Sequence, residues 1–430
     1  MFSINKKKIV FCCIEGTTGY TCNPKYIAEE LIRQKADYEL VWLVNDTSKK
    51  FPKEIKVVRN TLWNRAYQLT TARIWIDNSR KQLEARKRKG QVYIQTWHAK
   101  LGFKPTCLDR GAAFSKIAYL VSKHDSDMID YVLSNSKWYD DTLSTGMIYN
   151  GPTLRTGSPR CDILVNRTEA DILRVRNQFG LEKDAKIIMY APTFRGGSQS
   201  IKRTINVDDT SLDYDVLINA LEKRFGGKWY VFLRLHPQLV ARNMLSNDKN
   251  ERLIDVSKVD DMYEILAGCD AFITDYSSAA FDAAVMKIPV FIYADDYESY
   301  EKERGSLLWN MKKLPFPMMQ NNEELKDKIQ AFDDEVYQME LEQLFAKTEM
   351  VEDGMASKNV ISIIQKERFR KTEAKVLSER YDYLIVWGVA RHEFCERYNP
   401  FMYKLDYLID KNEKCVGEIY GGMEVKKLIK

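Results

Sequence analysis

Short apolar segments rich in β-branched and aromatic residues alternate with amphipathic segments of helical period along most of the chain. The series opens with KIVFCCI (8–14), NPKYIAEELIRQ (23–34) and YELVWLVND (38–46). Strands that alternate with helices across short joints are typical of a parallel, doubly wound sheet. Because such sheets bind ligands at the carboxyl ends of their strands, we expect functional side chains where these apolar segments end.

The alternation runs through twice and then begins a third time. A first α/β domain is predicted over residues 1–178 and a second over 179–372, which opens with the strand and turn AKIIMYAPTFRG. A segment over 380–430 has the opening strand, helix and strand of another Rossmann-like unit. About 50 residues are too few for a complete doubly wound sheet, so this segment is predicted to be a fragment that packs on a neighbour or continues beyond residue 430.

The composition is that of a globular protein, with 45% hydrophobic and 30% charged residues. A net charge of +5 is too weak to indicate a nucleic-acid partner, but it is compatible with anionic substrates or an anionic membrane surface. The eight cysteines lack the spacing of metal ligands, which favours reduced thiols in the cytoplasm. No apolar stretch approaches the roughly 18 residues of a membrane span, so any membrane contact is expected to be peripheral.

Two of the four histidines stand where predicted strands end. His98 closes the segment VYIQTWH, and His236 in RLHP closes a strand of the second domain that a proline terminates. An isolated histidine is more often a satisfied polar residue than a catalytic one, but two at strand ends of opposite domains favour a shared site. His124 and His392 lack this placement and are interpreted as surface or structural residues.

Polar residues also follow two predicted strands of the second domain. TDYSSAAFDAA places Asp275 at a strand end, with Ser277 and Ser278 at the start of a helix of small residues. Unpartnered N–H groups at a helix start, together with serine hydroxyls, can bind a diphosphate without a metal; Ser277 can also simply cap the helix, and the two roles are compatible. YAPTFR sets Thr193 and Arg195 at another strand end, where Arg195 can clamp the same phosphates.

The run RKQLEARKRK (80–89) carries six basic side chains against one glutamate. Most runs of this kind are solvated faces, and the functional alternative is a patch for anionic lipid headgroups or a polyanionic acceptor. Stacking aromatics are absent from the run, which counts against single-stranded nucleic acid. The residues predicted for the membrane patch are Arg80, Lys81, Arg86, Lys87, Arg88 and Lys89.

Seven strings occur in order between about residues 10 and 365: NPKYIAEEL, IWIDNS, QTWH, TGSPRCD, YAPTFR, RLHP and TDYSSAAFD. In order and spacing they resemble the CDP-glycerol glycerophosphotransferase family of teichoic-acid primases, polymerases and capsule enzymes. The resemblance implies a GT-B fold of two facing Rossmann-like domains. It also implies catalysis without a metal or other cofactor, so Asp295 and Asp296 of ADDY are not interpreted as a metal site.

The resemblance assigns roles residue by residue. It makes His98 the general base and His236 a second catalytic histidine near the donor phosphates. It assigns Arg195, Ser277 and Ser278 to the donor diphosphate and Asp275 to the acidic position of the motif. Lys104 and Thr193 are also predicted to bind substrate. One departure is Ala99, which stands directly after the motif histidine where the family usually has glycine; alanine fits there if its φ is negative.

The implied reaction transfers a polyol phosphate from CDP-glycerol or CDP-ribitol to a hydroxyl of a membrane-linked or saccharide acceptor. His98 takes the hydroxyl proton as the oxygen attacks the β-phosphorus, and CMP leaves. Glycerol phosphate is the first choice for the transferred group and ribitol phosphate the second. Three other interpretations stay open: a GT-B glycosyltransferase that uses a nucleotide sugar, a nucleotide-sugar epimerase or hydrolase, and a non-catalytic CDP-binding module.

Overall fold

The computed structural model describes residues 2–193, 211–235, 250–304 and 306–367, together with strand segments between 385 and 427. Met1–Val360 form one compact unit and Ile361–Lys430 a second. Within the first unit we call residues 2–178 the first lobe and 179–360 the second lobe. The domain boundaries predicted at 178/179 and between 372 and 380 stay predictions.

The first lobe is built on a seven-stranded parallel sheet of order β3-β2-β1-β4-β5-β6-β7. Its strands are β1 (Asn5–Cys12), β2 (Glu39–Val44), β3 (Ile55–Arg59), β4 (Ala72–Asp77), β5 (Val92–Gln95), β6 (Tyr131–Ser134) and β7 (Thr153–Arg155). The strands β4 and β5 are buried throughout and β1 is buried from Lys8 onward, as expected when helices cover both faces of a parallel sheet. The strand order reverses between β1 and β4, which opens a crevice at their carboxyl ends.

Local sequence signals explain where most helices of the first lobe begin. The helices are α1 (Cys22–Arg33), α2 (Leu62–Thr71), α3 (Lys116–Met128), α4 (Lys137–Gly146), α5 (Asp162–Val165) and α6 (Glu169–Gln178). Four of them begin after a serine or threonine whose side chain accepts a hydrogen bond from a first-turn N–H group, at Thr61, Ser115, Ser136 and Thr168. Such caps satisfy donors that would otherwise have no partner.

The second lobe repeats the arrangement with a six-stranded parallel sheet of order β10-β9-β8-β11-β12-β13. The strands are β8 (Lys186–Tyr190), β9 (Trp229–Leu233), β10 (Leu253–Asp255), β11 (Ala271–Thr274), β12 (Val290–Tyr293) and β13 (Met318–Met319). Among the described residues, its helices are α7 (Tyr214–Phe225), Met262–Leu266, Ala279–Ala284, Tyr297–Arg304, Asn322–Gln330 and Asp334–Thr348, and a further helix begins at residue 356. Two parallel doubly wound sheets confirm the α/β, GT-B prediction.

The second unit contains a small sheet of order β14-β15-β17-β16. Its strands are β14 (Ile385–Trp387), β15 (Tyr407–Asp410), β16 (Ile419–Tyr420) and β17 (Met423–Lys427). All pairs are parallel except β16 with β17. The short Rossmann-like fragment predicted after residue 380 therefore has strands as expected, whereas its predicted helix lies outside the described residues.

The segment after His98 packs into the second lobe. Leu101 and Phe103 belong to the buried apolar cluster of that lobe, and the ring centroids of Phe103 and Phe281 are 5.0 Å apart. The backbone N–H of Leu308 donates to the Phe103 carbonyl at 2.8 Å. This contact joins the lobes close to the strand ends that carry the predicted site.

Candidate active site

A cavity of ≈ 280 Å³ lies between the two lobes at the carboxyl ends of their strands. His98 and Lys104 line it from the first lobe, and Thr193, Ser277 and Ser278 line it from the second. Residues from separate predicted strand ends thus meet in one crevice, as the doubly wound pattern indicated. The catalytic and substrate-binding assignments stay predictions.

The His98 ring is held in one tautomer. Its Nδ1 lies 2.8 Å from the backbone carbonyl oxygen of Asn78. Because a carbonyl oxygen only accepts, Nδ1 carries the proton and the neutral ring presents Nε2 as an acceptor. Within the described part of the chain, Nε2 has no protein hydrogen-bond partner.

The surroundings of His98 keep its imidazole neutral. Burial lowers the pKa of His98 to about 4, with the Arg160 and Arg80 guanidinium groups acting in the same direction. The bond to Asn78 and the Asp77 carboxylate oppose this shift without reversing it. The ring is therefore unprotonated at neutral pH, which is the state that a general base requires.

Side chains from distant segments hold the backbone of the base loop, residues 96–98. The Asn23 Nδ2 donates to the carbonyls of Trp97 at 2.7 Å and Thr96 at 3.3 Å. The Arg160 Nη1 donates to the carbonyl of His98 at 2.6 Å. Three successive carbonyls are thus fixed by two buried side chains, so the loop that presents the imidazole has a defined path.

The unusual backbone conformation in this loop falls on Trp97, whose φ is 48°. A bulky residue in this left-handed region is disfavoured by about 1–3 kcal/mol and persists only where its surroundings impose the conformation. The Arg80 guanidinium lies 4.7 Å from the centroid of the Trp97 ring and packs over it. Ala99 is not among the residues with positive φ, so alanine in place of the family's glycine is unstrained.

Asp275 and Thr193 are hydrogen-bonded to each other in the second lobe. The Thr193 backbone N–H and Oγ1 both donate to the Asp275 carboxylate, at 2.9–3.0 Å. Asp275 is 1% exposed and is not part of the cavity wall, whereas Thr193 is. The carboxylate therefore fixes Thr193 from behind the wall.

The two serines directly precede the helix of small residues, as the sequence indicated. This helix covers Ala279–Ala284. The Ser277 Oγ accepts from the N–H of Ala279, the first residue of this helix, at 3.2 Å, and Ser277 also lines the cavity. A Cβ on Gly102 of the first lobe would lie 3.6 Å from the Ser278 Cβ, which shows how closely the lobes approach here.

Arg195 and His236 lie outside the described residues, as does His392. His124 is described, and its Nε2 lies 2.8 Å from the Ala85 carbonyl oxygen, which fits a structural role.

Sequence reasoning missed Asn23, Asn78, Arg160 and Asp282. Each belongs to one of the strings that carried the family resemblance, but each acts through a partner far away in the chain. Arg160 Nη2, for example, donates to the Asp282 carboxylate 122 residues later at 2.6 Å. A polar residue inside a motif was the only available signal, and it did not reveal the partner.

The structure corrects part of the predicted membrane patch. Lys81 is wrong as a lipid-facing residue because it is buried and ion-paired with Asp77. Three more residues of the patch are partly buried and already have partners. Arg80 binds the Cys107 thiol and Lys87 binds the Asp130 carboxylate. Arg88 donates to the carbonyls of Phe2 and Thr70. Arg86 and Lys89 are exposed, and membrane contact through them stays a prediction.

Three further sequence expectations concern metal, thiols and membrane spans. Asp295 accepts from Ser211, and Asp296 accepts from the Tyr276 hydroxyl at 2.9 Å. No group of three or more candidate metal-ligating side chains occurs among the residues that the structure describes, and metal-free catalysis stays a prediction. Six of the cysteines are described, and all six are buried free thiols. None of the helices described here is both long and apolar enough to cross a bilayer.

Two parallel α/β sheets with a shared cavity place the protein in the GT-B class of folds. The profile of the CDP-glycerol:poly(glycerophosphate) glycerophosphotransferase family matches residues 1–366, and the chain belongs to this family. The resemblance carried by the seven strings is thereby confirmed.

Known relatives synthesise teichoic acids. A teichoic acid poly(glycerol phosphate) polymerase of Staphylococcus epidermidis is 28% identical over 384 residues, which are 85% of this chain but 51% of that protein. This chain thus spans about half the length of that relative. A protein of the same description from Bacillus spizizenii is 28% identical over 370 residues, 83% of this chain and 91% of its own. A solved structure of the wall teichoic acid polymerase TagF soaked with CDPG has a TM-score of 0.73 at 27% identity and covers 86% of this chain and 91% of that one.

Proposed function

We propose that this protein transfers a polyol phosphate from a CDP-activated donor to a hydroxyl of a membrane-linked or saccharide acceptor, in teichoic-acid or capsule synthesis. Glycerol phosphate is the first choice for the transferred group and ribitol phosphate the second. The observation that carries the proposal is the neutral His98, with Nε2 available, on the same cavity as Ser277 and Ser278. The likeness to a polymerase soaked with CDPG supports the choice of donor.

In the proposed reaction the acceptor oxygen forms a bond to the β-phosphorus, and the bond from that phosphorus to the bridging oxygen breaks. CMP leaves with the bridging oxygen, and the hydroxyl proton passes to His98 Nε2. The serine hydroxyls donate to the donor phosphates, with Arg195 and His236 assigned to the same task by the family resemblance. Phosphoryl transfer depends mainly on position and charge stabilisation, so the alignment of donor and base carries most of the rate.

The decisive experiment measures CMP release with a matrix of donors and acceptors. CDP-glycerol and CDP-ribitol are each tested with lipid-linked and saccharide acceptors. His98→Ala should reduce turnover by at least about 10²-fold, in the range of a lost general base. His124→Ala is the matched control, because His124 is bound to a backbone carbonyl away from the cavity. Near wild-type turnover in His98→Ala rules out this residue as the base.

The same assay separates the other interpretations. Turnover with nucleotide sugars instead of CDP-polyols indicates a glycosyltransferase, and donor consumption without any acceptor indicates an epimerase or hydrolase. CDP binding without turnover in every combination indicates a binding module. Unchanged CMP release after addition of a chelator supports the prediction of metal-free catalysis, and loss that Mg²⁺ restores overturns it.

A location at the inner face of the plasma membrane is the second part of the proposal. Exposed apolar side chains lie on α2 and α3, on both sides of the basic run: Leu62, Trp63, Ile117 and Leu120. The run joins these helices, because Glu84 pairs with Arg65 of α2 at 2.9 Å and the Ala85 carbonyl meets His124 of α3 at 2.8 Å. Apolar groups flanked by basic ones suit the interface of an anionic bilayer.

Co-sedimentation with phosphatidylglycerol vesicles tests this location. The double variant Trp63→Ser/Ile117→Ser should lose most of the vesicle-bound fraction. Val336→Ser/Met339→Ser is the matched control, since both residues are exposed apolar positions on a helix of the second lobe. Equal binding of both variants contradicts a membrane-facing role for α2 and α3.

A further inference from the structure

Arg160 connects the base loop to the second lobe. Its Nη1 donates to the His98 carbonyl, and its Nη2 donates to Asp282 Oδ2, both at 2.6 Å. The side chains of Arg160 and Asp282 are 5% and 7% exposed. Asp282 lies on the helix that begins directly after Ser277 and Ser278. One guanidinium group thus touches the residue that carries the base and the helix next to the donor serines.

Further contacts fix this bridge on both sides. The Tyr263 hydroxyl donates to the same Asp282 Oδ2 at 2.6 Å, and the Arg160 guanidinium lies 5.0 Å from the centroid of the Tyr263 ring. The Arg160 backbone N–H donates at 3.1 Å to Asn23 Oδ1, and Asn23 Nδ2 holds the Trp97 carbonyl. A planar guanidinium can donate to two acceptors in fixed directions, whereas a lysine ammonium cannot reproduce that fork.

We infer that Arg160 is a positioning residue, which fixes the backbone of His98 against the lobe that carries the donor serines through its bridge to Asp282. The inference rests on the proposed function in one respect, that His98 acts as the base. Because the φ of Trp97 is disfavoured, the loop is expected to relax to another conformation once the bridge is lost. A displacement of about 1 Å in a reacting group can lower the rate about 10²-fold.

The first test compares Arg160→Lys with Arg176→Lys. Arg176 is the matched control because it is equally buried and pairs with Asp270 at 3.0 Å, away from the cavity. We expect Arg160→Lys to lower kcat for CMP release by about 10²-fold with little change in KM for CDP-glycerol. Arg176→Lys should retain wild-type kcat. Equal kcat in the two variants, or a loss confined to KM, overturns the inference.

A second test places the same change in a protein that lacks the base. If Arg160 acts through His98, Arg160→Lys should cause no further loss of kcat in a His98→Ala background. A loss that multiplies with that of His98→Ala shows that Arg160 acts elsewhere. Should Arg160→Lys fail to fold, judged by thermal midpoint, the isosteric Asp282→Asn replaces it in both tests.

A third measurement does not depend on turnover. Arg160, Arg80, Asp77 and the Asn78 carbonyl are the groups that act on the His98 imidazole, and the Arg160 charge lowers the pKa of His98. NMR titration of His98 should therefore show a higher pKa in Arg160→Gln than in wild type, with no change in Arg176→Gln. Wild-type protein that releases no CMP defeats the proposed function, whereas an unchanged titration in Arg160→Gln defeats this inference.

Discussion

The pH dependence of kcat/KM tests whether the environment of His98 prepares it as a base. This quantity reports the ionisation of essential groups in the free enzyme, before donor phosphates alter the local field. Because the pKa of His98 is about 4, the acid limb of the pH profile is expected well below neutral pH. An imidazole with an ordinary pKa of about 6.5 places that limb near the middle of the physiological range.

A pKa of about 4 and a pKa of about 6.5 predict ratios of kcat/KM between two pH values that differ by an order of magnitude. At about pH 5.5 a group with pKa 4 is still more than about 95% neutral, whereas a group with pKa 6.5 is only about 10% neutral. The ratio of kcat/KM at about pH 5.5 to that at about pH 7.5 is therefore expected near unity, against roughly one tenth for an unperturbed histidine.

The assay follows CMP release at limiting CDP-glycerol with saturating acceptor. Burial raises the pKa of the Asp125 and Glu352 carboxyl groups to about 7, so both titrate within the tested range. The profile is therefore repeated with Asp125→Asn and Glu352→Gln, which remove these titrations. A limb with its midpoint near pH 6.5 in all three proteins refutes the claim that burial holds His98 neutral.

Three other predictions concern stability and donor binding. Burial raises the pKa of Asp125 in the folded state, so between about pH 4 and 7 the folded protein binds more protons than the unfolded chain and loses stability as the pH rises. Asp125→Asn should then gain in thermal midpoint relative to wild type as the pH is raised through this window, and a difference independent of pH contradicts the reasoning. Asp261→Asn removes the most buried of the carboxylates that bind Lys25, at 2.6 Å, and leaves the partly exposed Glu264 as its near partner at 2.5 Å. Urea titration should show a loss of about 3 kcal/mol, while the exposed Glu182→Gln should change little. Asp275→Asn weakens the acceptor for both Thr193 donors and should raise KM for CDP-glycerol about tenfold with a smaller effect on kcat; an unchanged KM separates this pair from the donor site.

The periodic spacing of apolar residues and the positions of the strand ends determined much of what was predicted from the sequence. The alternation of apolar and amphipathic segments is a local property, so it indicated both doubly wound sheets and the strand ends that carry His98, Thr193 and Ser277. The tertiary structure brought these residues onto one cavity, which sequence order alone only suggested through the strand-end rule.

Only the tertiary structure decided how these residues are supported and which charges remain available. The Arg160 and Asp282 pair joins positions 122 residues apart, and no local pattern encodes that distance. Lys81 looked solvated within its basic run, but the fold places it in the interior beside Asp77. The physical reason is the same in both cases. The spacing of apolar residues and the local charge are properties of the sequence, whereas burial and long-range pairing arise only when the segments pack.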